Sequence, residues 1–280
     1  DTNIVVISGI TGNVNVSGGR GSHTPTVELY NPRTNQWRVL GNLIVPRRQH
    51  TALWLDSNNI LIVGGRLEDL STTSTVEIFN ILTGQSRLAT PYPNPMTDLV
   101  SGISSGYKVC VFGGRIGGPN SYRSDSVYYF ERSSGSWLYH SRLSVKLKAP
   151  LLLKLDDSRL CAIGGELTES PTSTSQAVYI EDGDIFSNKF FISQGRKWFG
   201  GAQLNNDSVI IGGGYGNTNT ALNSCEWLDI KQSQSYPAPR MNVARGYPCF
   251  LRMIDPINNL PVVLAISGLD STNRNTPTIE

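Results

Sequence analysis

The stretch Ile60-Leu61-Ile62-Val63-Gly64-Gly65 is an unbroken apolar run that ends in two glycines, and the rest of the chain repeats it. Similar runs end in a small pair whose last glycine falls at residues 9, 114, 165, 213 and 268, so the motif recurs every 48 to 56 residues. A regular period near 50 residues indicates a repeat architecture. Because each run is apolar at successive positions, it predicts a strand that is buried on both faces.

Composition narrows the class of protein. The 28 glycines and 15 prolines in 280 residues fit a single all-β domain with many tight turns. A net charge of +2 argues against a nucleic-acid partner, which needs concentrated basic charge. The longest apolar run, residues 260–266, is too short to span a bilayer, so we expect no direct membrane insertion. The low charged content of 16% favours an extracellular or cell-surface setting, with the cytoplasm as the alternative.

Each repeat is predicted to hold four strands, of which the run before the small pair is the second. Thr-Gly and Ser-Gly pairs at two-residue loops supply the hairpin turns. The first repeat lacks its first strand and the last stops inside its third strand. Either residues beyond both ends complete them or the repeats close imperfectly, and we favour the first because an open sheet edge is a pairing liability. The predicted repeats span residues 1–42, 43–92, 93–143, 144–190, 191–238 and 239–280.

The cysteines and two tryptophans fall into equivalent positions of these repeats. Cys110 and Cys161 lie three residues before a Gly-Gly pair, and Cys225 takes a position that other repeats fill with valine. We therefore expect buried, unpaired cysteines and no disulfide framework. Trp37 and Trp137 share a fourth-strand position, where they are expected to pack between repeats.

Several segments resemble Kelch repeats. They are the runs into Gly-Gly, the segment from Val27-Glu28-Leu29-Tyr30 to Trp37, and Pro46-Arg47-Arg48-Gln49-His50 with its counterpart at residues 241–247. The resemblance covers the whole chain and is most specific in the first three repeats. The repeats are similar to the Kelch variety in the central domain of galactose oxidase. It implies an all-β fold, a β-propeller of four-stranded antiparallel blades around a channel. The repeat count indicates six blades, with incomplete first and last blades.

Two columns of equivalent positions point to a binding site. The first follows each Gly-Gly pair and holds Ile10, Arg66, Arg115, Glu166, Gly214 and Leu269. The second lies sixteen residues before the first glycine and holds Arg48, Thr97, Lys148 and Arg196, with Arg245 in the last repeat. Kelch domains commonly bind ligands on this face, often through arginines, so the resemblance implies a set of candidates. They are Arg48, Arg66, Arg115, Lys148, Glu166, Arg196, Tyr215 and Arg245. Alternatively, such arginines bond to backbone or acidic groups and fix blade packing.

No motif points to catalysis. The three histidines are widely separated and no Cys-x-x-Cys pair exists, so we expect no metal. The copper ligand set of galactose oxidase cannot be placed, and the glycine clusters precede strands, not helices, so we expect no cofactor.

The preferred hypothesis is a non-enzymatic recognition or adhesion module that binds an acidic protein, peptide or glycan on the loop face. Loops at residues 10–24, 66–74, 115–125, 166–176 and 214–222 would set its specificity. One alternative is a carbohydrate-active enzyme or lectin-like propeller, related to a sugar epimerase or an oxidase. The other is a structural domain of a longer chain in a surface assembly.

Overall fold

A computed structural model describes residues 3–11, 22–104, 108–117, 122–154, 159–167, 173, 176–181, 184–205, 207–255, 258–272, 274 and 276–280. The loops predicted at residues 10–24, 115–125 and 166–176 lie partly outside these described residues. Every regular element in the described ranges is a β-strand. Within the same ranges, no helix is long and apolar enough to cross a membrane.

The chain forms two compact units. The first comprises Asp1–Ser101, Val109–Ser124 and Tyr128–Tyr139. The second comprises Gly102–Lys108, Asp125–Val127 and His140–Glu280. The division passes through the third repeat.

The first three repeats contribute thirteen strands. These are β1 (Ile4–Thr11), β2 (Ser22–Asn31), β3 (Gln36–Asn42), β4 (Thr51–Trp54), β5 (Asn59–Val63), β6 (Val76–Asn80), β7 (Gln85–Ala89), β8 (Met96–Thr97), β9 (Val100–Ile103), β10 (Val109–Phe112), β11 (Arg115–Ile116), β12 (Tyr122–Glu131) and β13 (Ser136–Lys148). The first repeat forms a three-stranded sheet in the order β1-β2-β3, and the second forms the four-stranded antiparallel sheet β4-β5-β6-β7.

The last three repeats contribute eleven strands. These are β14 (Leu151–Lys154), β15 (Arg159–Ile163), β16 (Glu166–Leu167), β17 (Gln176–Glu181), β18 (Asp184–Phe191), β19 (Gly200–Asn205), β20 (Ser208–Gly212), β21 (Cys225–Asp229), β22 (Gln234–Ala238), β23 (Cys249–Ile254) and β24 (Pro261–Ile266). Their sheets run β14-β15-β17-β18, β19-β20-β21-β22 and β23-β24. The segment predicted as a strand at residues 276–280 instead makes a bridge between Ile279 and Ile266.

Strand β5 is buried on both faces, as its unbroken apolar run predicts. Ile60 and Ile62 belong to a core cluster with Val27 of the first repeat. Leu61 and Val63, on the opposite face, belong to a second cluster that includes residues of β10 in the third repeat. Because successive side chains of a strand point to opposite faces, one strand fills the cores on both of its sides.

The cysteine prediction is confirmed. Cys110, Cys161 and Cys225 are buried and none forms a disulfide; Cys249 is exposed and also free. Burial raises the pKa of the Cys110 thiol to about 12, so this side chain behaves as a small apolar group. Cys161 packs in a cluster with residues of β20, as expected for a side chain between repeats.

The two tryptophans predicted to pack between repeats have different packing partners in the structure. Trp137 meets Tyr92, which follows the second repeat's last strand, at 4.9 Å between ring centroids, and its Nε1 donates to the Thr90 carbonyl at 2.9 Å. Trp37 instead packs on Tyr30 of its own sheet and is 56% exposed. The prediction is therefore confirmed for Trp137 and wrong for Trp37, whose sheet lies at the start of the described chain.

The second residue of the small pair after β5 is glycine because positive φ and a close backbone contact both apply there. Gly65 has a φ of +115°, and a Cβ on it would lie 2.9 Å from the Arg48 carbonyl oxygen. Its N–H donates to the Met96 carbonyl at 2.7 Å. The first position is less restricted, since Ser8 and Ser267 adopt positive φ there. The pair thus joins the end of each second strand to the start of the next repeat.

Candidate functional site

Arg48 and Arg66 face each other directly on neighbouring backbone segments of the first unit. The N–H of Arg48 donates to the Arg66 carbonyl at 3.0 Å, and the N–H of Arg66 donates to the Arg48 carbonyl at 2.7 Å. Residues that exchange both hydrogen bonds in an antiparallel pair place their side chains on the same face. Two like charges directly opposite one another are unfavourable, so this arrangement costs stability.

Arg115 occupies the equivalent position in the third repeat. It lies opposite Thr97 on one side and Arg123 on the other. Arg66 is similarly placed between Arg48 and Thr72. The same short ladder therefore presents an arginine at the exit of two successive second strands, as the first column predicts.

These three residues, Arg48, Arg66 and Arg115, form what we call the arginine cluster. The pKa of Arg66 is lowered chiefly by burial, and next by the charges of Arg115 and Arg48. Asp98 acts in the opposite direction but more weakly than either arginine. The charges of Arg115 and Arg48 both act on Arg66, so each lies close enough to repel it.

Two hydrogen-bond donors of the arginine cluster have no acceptor among the described residues. The Nε atoms of Arg48 and Arg115 are buried, yet the described residues offer neither a hydrogen-bond acceptor. Arg66 Nε donates to the Leu70 carbonyl at 3.1 Å. Buried polar groups are normally satisfied, so two unsatisfied charged donors indicate a place for an anionic acceptor.

His23 is a further member of this site that sequence analysis missed. It lies opposite Ile10 in the first repeat, and its Nδ1 is buried without a partner among the described residues. Its pKa is lowered by burial first and then by Arg48, while Glu68 acts in the opposite direction. The neutral imidazole therefore adds a polar group without adding to the repulsion. An alignment of the third strands would have found it, because His23 and Arg123 hold equivalent positions.

Arg196 and Arg245 do not belong to a ligand site, which corrects the prediction for both. Each is fully buried. Arg196 Nη2 donates to Glu226 Oε1 at 2.7 Å, and its Nη1 donates to the Gly213 and Ser224 carbonyls at 3.1 and 2.9 Å. Arg245 pairs in the same way with Glu280 and with two backbone carbonyls. The alternative of a packing role is therefore the right one for these two residues.

For Arg196 the error came from the register of the fifth repeat. Strand β20 itself ends in Gly212, so the pair equivalent to Gly64-Gly65 is Gly213-Gly214, with φ of +67° and +83°. Counting from Gly212 moved both columns by one residue. With the corrected register, the fully buried Arg47 is the equivalent of Arg196 and Arg245, and it pairs with Glu77 at 2.5 Å.

The remaining candidates lie in the second unit. Lys148 faces Glu166 across two strands, with 3.4 Å between Nζ and Oε2, so this position carries a paired charge. Tyr215 holds the first-column position predicted for Gly214, because it bridges Lys197 as Arg66 bridges Arg48. Each unit therefore has its own members of the two columns.

Comparisons with known proteins agree with the strand pattern. The family described as "Kelch motif" matches residues 5–44. A solved structure described as "Structure of YjhT" matches with a TM-score of 0.73 and 16% identity, over 91% of this chain and 87% of that chain. The chain thus has the β-propeller fold, and residues 5–44 carry a Kelch motif. A comparison with curated proteins finds no match.

The likeness in fold does not transfer a ligand, since 16% identity shows the fold alone. The count of six blades and their boundaries stay predictions. Among the described residues of the propeller, no three or more His, Cys, Asp or Glu side chains are grouped so that they could hold a metal ion. The arginine cluster is therefore the best-supported site in the first unit.

The buried imidazole of His50 is expected to make the stability of the fold depend on pH. Burial, and then the charge of Arg47, lowers the pKa of His50 from 6.5 to about 4. Between these values the unfolded chain binds a proton that the folded chain does not. The free energy of unfolding is therefore expected to decrease by about 3 kcal/mol as pH falls from 6.5 to 4.

The variant His50→Gln isolates this contribution. We expect its stability to change less over the same pH range, as measured by urea unfolding at pH 7, 5.5 and 4. An identical decline in the variant and the wild type would contradict the assignment.

Proposed function

We propose that this propeller is a non-enzymatic recognition module that binds an acidic group of a peptide, protein or glycan at the arginine cluster. The observation that carries the proposal is the pair of buried, unsatisfied Nε donors of Arg48 and Arg115 beside Arg66. A guanidinium group presents donors in a planar fork that matches a carboxylate, sulfate or phosphate. An anion placed among the three would supply acceptors and offset their mutual repulsion.

We favour a binding module over an enzyme because of the chemical groups in the arginine cluster. Guanidinium groups stay protonated and so are poor general acids or bases at neutral pH. The cluster's neighbouring titratable groups are Asp98, Glu68 and the neutral His23. This set suits the recognition of a negative charge. An extracellular or surface setting, and a place in a longer chain or assembly, stay predictions from composition and repeat pattern.

Isothermal titration calorimetry with matched probes tests the proposal. The probes are the capped peptides (Glu-Gly)3 and (Gln-Gly)3, together with glucuronate and glucose. We expect at least one acidic probe to bind, its neutral partner not to bind, and the affinity to fall as salt is raised. The two acidic probes separate a peptide source of the carboxylate from a sugar source.

A surface arginine of the same unit provides the control. Arg87 lies on β7 and is exposed. Arg87→Ala is expected to bind the acidic probe as the wild type does. Equal binding of acidic and neutral probes, or no binding of either acidic probe, would contradict the proposed function.

A further inference from the structure

An aromatic cluster in the second unit is not used by the proposed function. The rings of Trp198 and Tyr247 are stacked, with centroids 5.2 Å apart and an interplanar angle of 18°. Tyr215 meets both rings edge-on, at 5.9 Å from Trp198 and 6.1 Å from Tyr247. We call these three residues the aromatic cluster. Trp198 and Tyr247 begin two successive repeats, and Tyr215 follows the second strand between them.

The backbone presents the stacked rings in a fixed orientation. Trp198 has a φ of +50° and Tyr247 a φ of +54°. The equivalent residues of other repeats are also left-handed, but they are Gln49, Asp98 and Ala149. The fold therefore imposes positive φ at this position. Bulky aromatic residues are uncommon in that region and cluster at functional sites when they occur.

A backbone hydrogen bond and a close glycine contact also hold the rings in place. The N–H of Tyr247 donates to the Trp198 carbonyl at 2.7 Å. A Cβ on Gly246 would lie 1.9 Å from the Tyr215 ring, so glycine is required where that ring is seated. Tyr247 nevertheless remains 51% exposed. The cluster thus offers one preorganised aromatic surface to solvent.

Polar groups lie close to the Trp198 ring of this cluster. The ammonium groups of Lys148 and Lys197 lie 5.1 and 5.2 Å from the centre of the Trp198 ring, and Glu166 pairs with Lys148. The Tyr215 hydroxyl is buried and has no hydrogen-bond partner among the described residues. Burial, and then Asp270, raises the pKa of Tyr215, so the hydroxyl stays protonated at neutral pH. Hydrogen-bond donors and acceptors are therefore both present.

We propose that the aromatic cluster is a carbohydrate-binding site in which the apolar face of a pyranose ring packs on Tyr247. A pyranose combines such a face with hydroxyl groups that both donate and accept hydrogen bonds. An exposed aromatic ring that packs against an unsatisfied phenol, and stacks on a tryptophan contacted by Lys197, matches both properties. A peptide rich in proline or aromatic residues would need more apolar contacts than one exposed ring supplies. The aromatic cluster shares no residue with the arginine cluster, so either proposal can fail alone.

Saturation-transfer NMR with methyl glycosides of glucose, galactose and N-acetylglucosamine tests this site. We expect at least one of them to receive saturation at its ring C–H protons. Tyr247→Ala is expected to weaken binding by about tenfold or more, and Tyr247→Phe to keep it, because the ring and not its hydroxyl makes the contact. Alanine is compatible with the backbone, since Ala149 adopts the same conformation in an equivalent position.

The exposed Trp227 of β21, in the same unit, provides the control. Trp227→Ala is expected to bind the glycoside as the wild type does. The proposal is overturned if none of the three glycosides binds the wild type, or if Tyr247→Ala binds as well as the wild type does. Binding of a capped hexaproline peptide that depends on Tyr247, without binding of any glycoside, would also overturn it.

Discussion

Replacing Glu77 with alanine is expected to lower the free energy of unfolding by about 3–5 kcal/mol. Glu77 and Arg47 are both fully buried. The carboxylate accepts hydrogen bonds from the N–H groups of Ile44 and Val45 and from the Ser86 hydroxyl, at 2.6 to 3.0 Å, besides its ion pair. Removing it leaves a buried guanidinium without its counter-charge and two backbone donors without an acceptor. Chemical denaturation measures the loss.

The chain itself suggests the control for this prediction. The third repeat carries Met96 and Tyr128 at the positions equivalent to Arg47 and Glu77, so a repeat of this fold tolerates an uncharged pair. The double variant Arg47→Met/Glu77→Tyr is therefore expected to be more stable than Glu77→Ala alone. If the double variant is the less stable of the two, the buried charge is not the cause of the loss.

Removing two guanidinium groups from the arginine cluster should weaken ligand binding without lowering the stability of the fold. The double variant Arg66→Ala/Arg115→Ala is expected to bind the acidic probe at least about 100-fold more weakly, because each charged hydrogen bond contributes about 1.5–3 kcal/mol. Its stability is not expected to fall, because Arg66 faces another arginine and loses a repulsive contact. Calorimetric titration measures the affinity.

Lysine substitution separates charge from geometry in the same cluster. Arg66→Lys/Arg115→Lys keeps both positive charges but loses the planar forks, so an intermediate affinity is expected. Affinity equal to that of the wild type would mean that charge alone attracts the ligand. Loss as complete as in the alanine variant would mean that the fork geometry is essential.

The buried strands were predictable because their information is local. A run such as Ile60 to Val63 is apolar at every position, and this pattern alone requires packing on both faces. The positions of Cys110, Cys161 and Cys225 followed from the same alignment of repeats. These predictions needed no knowledge of how the repeats are arranged in space.

Predicting the buried ion pairs required a comparison of positions that lie 30 to 35 residues apart in each repeat. Arg47, Arg196 and Arg245 occur only in repeats that also carry a glutamate 30 to 35 residues later, and repeats three and four lack both charges. A register fixed by these pairs, and not by glycines, would have placed Arg196 and Arg245 in the core. The additional glycine at the end of β20, Gly212, hid this pattern in the fifth repeat.

The arginine cluster was predictable only in part. The first column identified Arg66 and Arg115, but their closeness depends on how successive repeats face one another. The sequence does not show that Arg48 lies opposite Arg66, because that pairing is made by irregular segments outside the named strands. His23 could not be aligned from the strands alone, because the length of chain between β1 and β2 differs from that in the other repeats. Tyr215 was among the candidates from sequence, but its contacts with Trp198 and Tyr247 depend on how successive repeats pack.

The melting temperature of the wild type and of Arg66→Ala/Arg115→Ala, each with and without the acidic probe that binds best, tests the central claim most directly. Without the probe, the variant should melt at or above the wild-type temperature. At about 100 times the dissociation constant, the probe should raise the wild-type temperature by several degrees and leave the variant unchanged. A variant that melts several degrees lower without the probe, and is stabilised by it as much as the wild type, would contradict the assignment of these arginines to ligand binding.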